Sequence, residues 1–139
     1  MVMLALGGCS ADGIHDPQNF FPGSSPTSWE SCDKFGSASN QVQICASTGL
    51  EPGLNAPSYN INFSLPDAAH VLIAVFDSHA ARVRVLLNDD EPATLPGQFR
   101  TPPVIWTFTD DSGKPVPPGH YRVYFQSGDF TSTSDVETP

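Results

Sequence analysis

From Tyr59 onward the chain is a series of short runs in which apolar and polar residues alternate, each closed by a turn signal. A period of two commits a chain to half-buried strands, because successive side chains point to opposite faces. Tyr59, Ile61, Phe63 and Leu65 alternate with Asn60, Asn62 and Ser64 until Pro66-Asp67 stops the run. Val71 to Phe76 is almost continuously apolar, as a more deeply buried strand would be. Val83, Val85 and Leu87 are spaced by Arg84 and Leu86, and Val104, Trp106 and Phe108 by Ile105, Thr107 and Thr109. Asp110-Asp111-Ser112-Gly113 reads as a tight turn and Pro115 to Gly119 as a second bend. Tyr121, Val123 and Phe125 then alternate with Arg122, Tyr124 and Gln126, and Ser127-Gly128-Asp129 turns into a last strand from Phe130 to Val136. Six or more short strands at this spacing predict an all-β fold, an antiparallel β-sandwich. Charged helix formers are too few for a helical bundle: two lysines and four glutamates.

The first part of the chain has a different texture. Residues 9–57 read as a Pro/Ser/Gly-rich linker, punctuated by Pro17, Pro22, Pro26, Pro52 and Pro57, in which only Gln41 to Ala46 alternates like a strand. Phe20, Phe21 and Trp29 are apolar islands that would pack onto the domain that follows, placed at 58–139. The net charge of −9 is spread over both parts, with no basic patch. Nucleic acid and anionic membrane surfaces are therefore excluded as partners, since neither phosphate backbone nor acidic lipid would be neutralised.

The chain opens on the apolar run Met1 to Leu6, followed by Gly7-Gly8-Cys9. Leu6-Gly7-Gly8-Cys9 resembles a bacterial lipobox, which implies that residues 1–8 are the remnant of a signal peptide and that Cys9 carries a lipid. Cys32 and Cys45 are then left as a pair enclosing 12 residues, and export favours their oxidation to a disulfide. A bridge of that span stabilises by about 3 kcal/mol on the loop-entropy model. Ser10, directly after the cysteine, lacks the Asp that holds many lipoproteins at the inner membrane, which places the protein at the outer membrane.

Asn62-Phe63-Ser64-Leu65-Pro66 followed by His70 to Asp77 resembles the opening of the immunoglobulin-like domain of flagellar hook-capping proteins, a module also found near the C-termini of type IX secretion cargo. The resemblance continues through Asp77, Val83, Arg84 and Leu86, with Ala80 where a Gly is usual. It then covers Trp106 and the stretch Asp110 to Tyr121, with Thr107-Phe108 in place of the usual Asp-Gly after the Trp. It implies an immunoglobulin/fibronectin III-like β-sandwich, with Trp106 and Tyr121 facing each other in the core and Gly119 permitting the bend before Tyr121.

No reactive constellation stands out. There is no Gly-x-Ser-x-Gly elbow, no phosphate-cradling glycine loop and no His-Glu-x-x-His, and the four histidines are scattered. Asp77-Ser78-His79 are too close in sequence to converge on one reacting atom. Asp89-Asp90-Glu91 and the Asp110 turn read as solvated turns rather than calcium loops. The sequence thus predicts no catalytic residues, no cofactor and no metal. The expected function is that of a non-enzymatic, lipid-anchored envelope protein whose sandwich serves as a structural or protein-interaction module, its partner an envelope or cell-surface protein. Secreted cargo using the sandwich as a type IX sorting domain is the alternative, although the polar, acidic end Thr131 to Glu137 departs from such signals. Residues 88–100 form a long loop, and long loops on rigid scaffolds carry binding. Phe99 and Arg100 are its expected partner-binding pair.

Overall fold

The computed structural model describes residues 29–37, 40–51 and 56–138. Cys9, residues 1–8 (expected to be a signal-peptide remnant) and the Phe20-Phe21 pair lie outside the described residues. Among the described residues a 3-10 turn, Trp29–Ser31, leads into eight strands: β1 (Asp33–Ser37), β2 (Asn40–Glu51), β3 (Ala56–Ser64), β4 (Ala69–Phe76), β5 (Arg82–Glu91), β6 (Val104–Trp106), β7 (His120–Ser127) and β8 (Phe130–Glu137). They form two four-stranded sheets, ordered β1-β2-β3-β6 and β5-β4-β7-β8, and every pairing is antiparallel.

The core is built by the alternation. Tyr59, Ile61 and Phe63 of β3 share one buried cluster with Val71, Ile73 and Val75 of β4 and with Tyr121, Val123 and Phe125 of β7. Edge-to-face ring contacts knit it together: Phe63 meets Phe125 at 5.3 Å between centroids, and Trp106 meets Tyr121 at 5.6 Å. The second sheet is apolar on its other face as well, where Ala74, Phe76 and Tyr124 are buried together. That explains why β4 reads as an unbroken apolar run rather than an alternating one.

The boundary expected at residue 57 falls inside the first sheet and is corrected. β2 pairs with β3 from Gln43↔Ser64 to Glu51↔Ala56, and β1 pairs with β2 from Asp33↔Ile44 to Ser37↔Asn40. Trp29 and Ile44 are fully buried in the same core as Trp106. The Trp29 indole N–H donates to Ser132 Oγ at 3.0 Å and its amide to Ser134 Oγ at 3.4 Å, tying the start of the described chain to β8. The residues read as linker thus supply two strands and a core tryptophan.

Two further differences concern strand ends. β5 continues to Glu91, so Asp89-Asp90-Glu91 belong to a strand and the loop begins only at Pro92. β6 stops at Trp106 rather than at Thr109. Its continuation is broken at Phe108, which has a φ of 59°, while the Trp106 indole N–H donates to Thr109 O at 2.8 Å. Ala80, in the β4–β5 turn, also has a positive φ of 62°. Both lie in the left-handed region that glycine occupies without penalty.

Candidate functional site

Two recesses open at opposite ends of β4. The larger, about 640 Å³, lies between the β4–β5 turn and the segment Asp110 to Tyr121 that joins β6 to β7. Its three aspartates are engaged with the chain's own turns. Asp77 Oδ1 accepts the amides of His79 at 2.8 Å and Ala81 at 3.0 Å. Asp110 Oδ1 accepts the Ser112 amide at 2.9 Å, the Ser112 hydroxyl at 2.6 Å and the Lys114 amide at 3.0 Å. These bonds, the Ser112 hydroxyl first, hold the Asp110 carboxyl below its ordinary pKa. Asp111 Oδ1 accepts the Val85 amide at 3.0 Å, and the Tyr121 hydroxyl donates to Pro117 O at 2.6 Å. Burial raises the Tyr121 phenol above its usual value. Asp77, Ser78 and His79 are thus a side chain and the turn it closes, not a set converging on a substrate. Gly119, at a φ of 155°, ends the segment and is fastened to Thr138 by a backbone bond of 2.9 Å.

The second recess, about 450 Å³, lies on the first sheet between Lys34, Gln41 and Gln43 on one side and Leu65, Pro66 and Thr94 to Gly97 on the other. Cross-strand pairing sets Lys34 opposite Gln43 and Gln43 opposite Ser64, so the three form one row over β1, β2 and β3. Inward-facing Ile44 and Phe63, the neighbours of Gln43 and Ser64, are fully buried, which leaves this row on the outer face. Among the described residues Lys34 is the one charged residue lining the groove. Among the described residues the side chains of Lys34, Gln41 and Ser64 enter no hydrogen bond, and Gln43 makes a single long one, 3.4 Å to Cys32 O.

The turn that walls this groove is held firmly. Thr94 N–H donates to Leu65 O at 3.0 Å, while Thr94 Oγ1 accepts the Leu65 amide at 3.0 Å. Gln98 N–H closes the turn onto Leu95 O at 3.0 Å, and Arg100 N–H donates to Phe63 O at 2.8 Å. At the tip stands Leu95, 67% exposed, the one large hydrophobic residue so placed among the described residues.

Arg100, half of the expected Phe99-Arg100 pair, is bonded within the fold. Its Nε donates to Glu91 Oε1 at 2.9 Å and its Nη1 to Pro102 O at 2.7 Å, while Glu91 is only 7% exposed. The guanidinium is needed to compensate a buried carboxylate. Phe99 beside it is half-buried. Leu95, which sequence reasoning passed over as part of a turn, is the residue that this loop presents. Only the chain's Leu-Pro-Gly order hinted at it, since an apolar residue before a Pro-Gly turn has no strand face to hide in.

Other sequence candidates fall elsewhere. Cys32 and Cys45 bring their sulfurs to disulfide distance at the open end of the β1–β2 pair. His70 lies on the outer face of the second sheet, with Nδ1 at 2.7 Å from Asp90 Oδ1 and Nε2 at 2.6 Å from Asn88 Oδ1. Asn88 first, then Asp90, raises its pKa above the ordinary 6.5. His120 reaches Glu137 only at 3.7 Å, with both side chains exposed. Among the described residues no group of three or more His, Cys, Asp or Glu could hold a metal ion, and no helix is long and apolar enough to cross a membrane. No protein-family model matches the chain, and no curated protein matches it.

Proposed function

We propose that this chain is a non-enzymatic envelope lipoprotein whose immunoglobulin/fibronectin III-like sandwich is a protein-interaction module. The strand order supports the fold assignment. Lettering β2 to β8 as A, B, C, C′, E, F and G gives A-B-E facing C′-C-F-G, the immunoglobulin-type arrangement, with β1 added at the A edge. The bond from the Tyr121 hydroxyl to Pro117 O, at the entry to β7, has the form of a tyrosine corner. The left-handed backbone at Ala80 and Phe108 favours the resemblance drawn from sequence, because the hook-capping domains carry glycine at those two places.

The observation that carries the interaction role is the exposed Leu95 on a turn fastened at both ends to β3 and its flank. A fixed loop avoids the ordering cost that a mobile one would incur on binding. A photo-reactive amino acid at position 95 should cross-link an envelope protein in intact cells, while the same group at Ser78 should not. Cross-linking from neither site, or equally from both, would remove this loop as the interface.

Leu6-Gly7-Gly8-Cys9 supports lipid attachment at Cys9, and Ser10 in place of an Asp supports location at the outer membrane. Metabolic labelling with a palmitate analogue should mark the protein and fail in Cys9→Ala; an unlabelled wild type refutes the anchor. The proximity of the two sulfurs supports a Cys32–Cys45 bridge fastening β1 to β2. Alkylation of either thiol in the native, unreduced protein would disprove it.

A further inference from the structure

We infer that the groove between Lys34-Gln41-Gln43 and the Thr94 to Gly97 turn binds an uncharged, hydroxyl-rich ligand, the chemistry of a neutral oligosaccharide. Its volume, about 450 Å³, falls within the range of small-molecule sites. Its chemistry separates it from the larger recess, where the carboxylates are occupied by the turns they close.

The groove offers hydrogen-bonding capacity that the fold does not use. A glutamine amide presents donors and an acceptor side by side, and a serine hydroxyl does both from one oxygen. Gln41 and Ser64 have no partner among the described residues. They and Gln43 are spread over strands spaced about 4.8 Å apart, so the polar groups form an extended row rather than a single point. Sugar hydroxyls, which also both donate and accept, complement such a row. An apolar ligand would leave the amides unpaired, at a cost for each. A strongly anionic ligand would find one cation, Lys34, within a chain of net charge −9, and a cationic ligand would meet no carboxylate among the described residues of the lining.

The opposite wall is apolar: Leu95, with Pro96 behind it, can cover the C–H face of a sugar ring while the amides take its hydroxyls. The paired bonds between Thr94 and Leu65 hold this wall in place before any ligand arrives.

The inference builds on the reading of this end of the sandwich as the docking end, but not on lipidation or on a protein partner. The full chain, labelled with nitrogen-15, would be titrated separately with maltohexaose, cellohexaose, chitohexaose, hexaglutamate and hexalysine. At least one neutral oligosaccharide should shift the Gln41 and Gln43 side-chain amides and the Ser64 and Leu95 backbone amides in a saturable way. Gln41→Ala with Gln43→Ala, and Leu95→Ala alone, should each weaken that binding about tenfold or more without moving the melting temperature. Leu95→Ala keeps the test decisive if the double variant is unstable, because the residue is largely exposed. Saturable binding of hexaglutamate with equal or greater affinity would instead make this an acidic-peptide groove and overturn the inference. So would shifts centred on the Pro115 to Tyr121 recess, or no saturation by any oligosaccharide at about 10 mM. A protein that binds oligosaccharide but cross-links nothing from position 95 refutes only the protein partner.

Discussion

The two recesses at the ends of β4 use the same kinds of residue to opposite ends. In the larger one, Asp77, Asp110 and Asp111 each accept backbone amides, and Tyr121 donates to a backbone carbonyl. Remove those side chains and the turns lose their fastening. In the smaller one, the fastening is done by Thr94, Arg100 and backbone groups, while Gln41, Ser64 and Lys34 are left to the surface. The lesson is that size and charge density do not mark a binding site. The larger and more acidic recess is mostly scaffold at its aspartates and Tyr121, because those groups already have backbone partners.

The comparison requires both ends to be built on one continuous core, and the largest expected effect tests that. Trp106→Ala beneath the larger recess should cost ~3–5 kcal/mol, and Trp29→Ala should cost about the same, measured by urea unfolding. Both rings are fully buried in one cluster. A loss below ~1 kcal/mol for Trp29→Ala would return residues before 57 to linker status and detach the smaller recess from the core.

Arg100→Ala tests whether the smaller recess is walled by a fixed turn. Leaving Glu91 buried without its partner should cost ~1.5–3 kcal/mol and make residues 92–103 sensitive to protease. If stability and proteolysis are unchanged, the loop does not depend on this pair and Arg100 is available for binding after all.

At the larger recess a gain is expected. Ala80→Gly should stabilise by ~1 kcal/mol, since the backbone there is already left-handed. The same exchange at Phe108 should destabilise, because that ring is buried against Trp106 with centroids 4.9 Å apart. A destabilised Ala80→Gly would show that the turn closed by Asp77 is not held in this conformation.

The smallest effect concerns His70, at the start of β4. Its pKa is raised, so its ion pair and hydrogen bonds contribute stability that is fully present below the ordinary value of 6.5. That contribution is lost as pH rises through the raised folded value. In an NMR titration Asn88→Ala should lower the His70 pKa towards 6.5, more than Asp89→Ala does, in keeping with the order of causes. An unmoved pKa would mean that the Asn88 contact is not made in solution.

Most of the second sheet is legible in the residues. β7 follows from alternation, β4 from its unbroken apolar run and β8 from the turn before it, because a run cannot pass Pro66-Asp67 or Gly128-Asp129. β1 and β2 are not legible in the same way. Among the residues of β2 whose burial is described, Ile44 and Ala46 are the buried ones, set among polar and small residues, and β1 is an edge strand of five residues, so neither shows a long alternating face. Their strand state comes from pairing with β3, a nonlocal bond pattern that no local window contains.

The candidate site divides along the same line. The chain alone determined the class of fold, the presence of a long loop after β5, and the placing of Trp106 and Tyr121 in a core, since each depends on periodicity, turn chemistry or the size of an aromatic ring. Tertiary structure alone decided which polar groups are already bonded. Arg100 became structural because β5 runs on to Glu91 and carries that carboxylate beneath it. Gln43 and Ser64 became neighbours because β2 and β3 pair in one register and not the next, and a slip of β2 by one residue would have turned the Gln43 amide into the core.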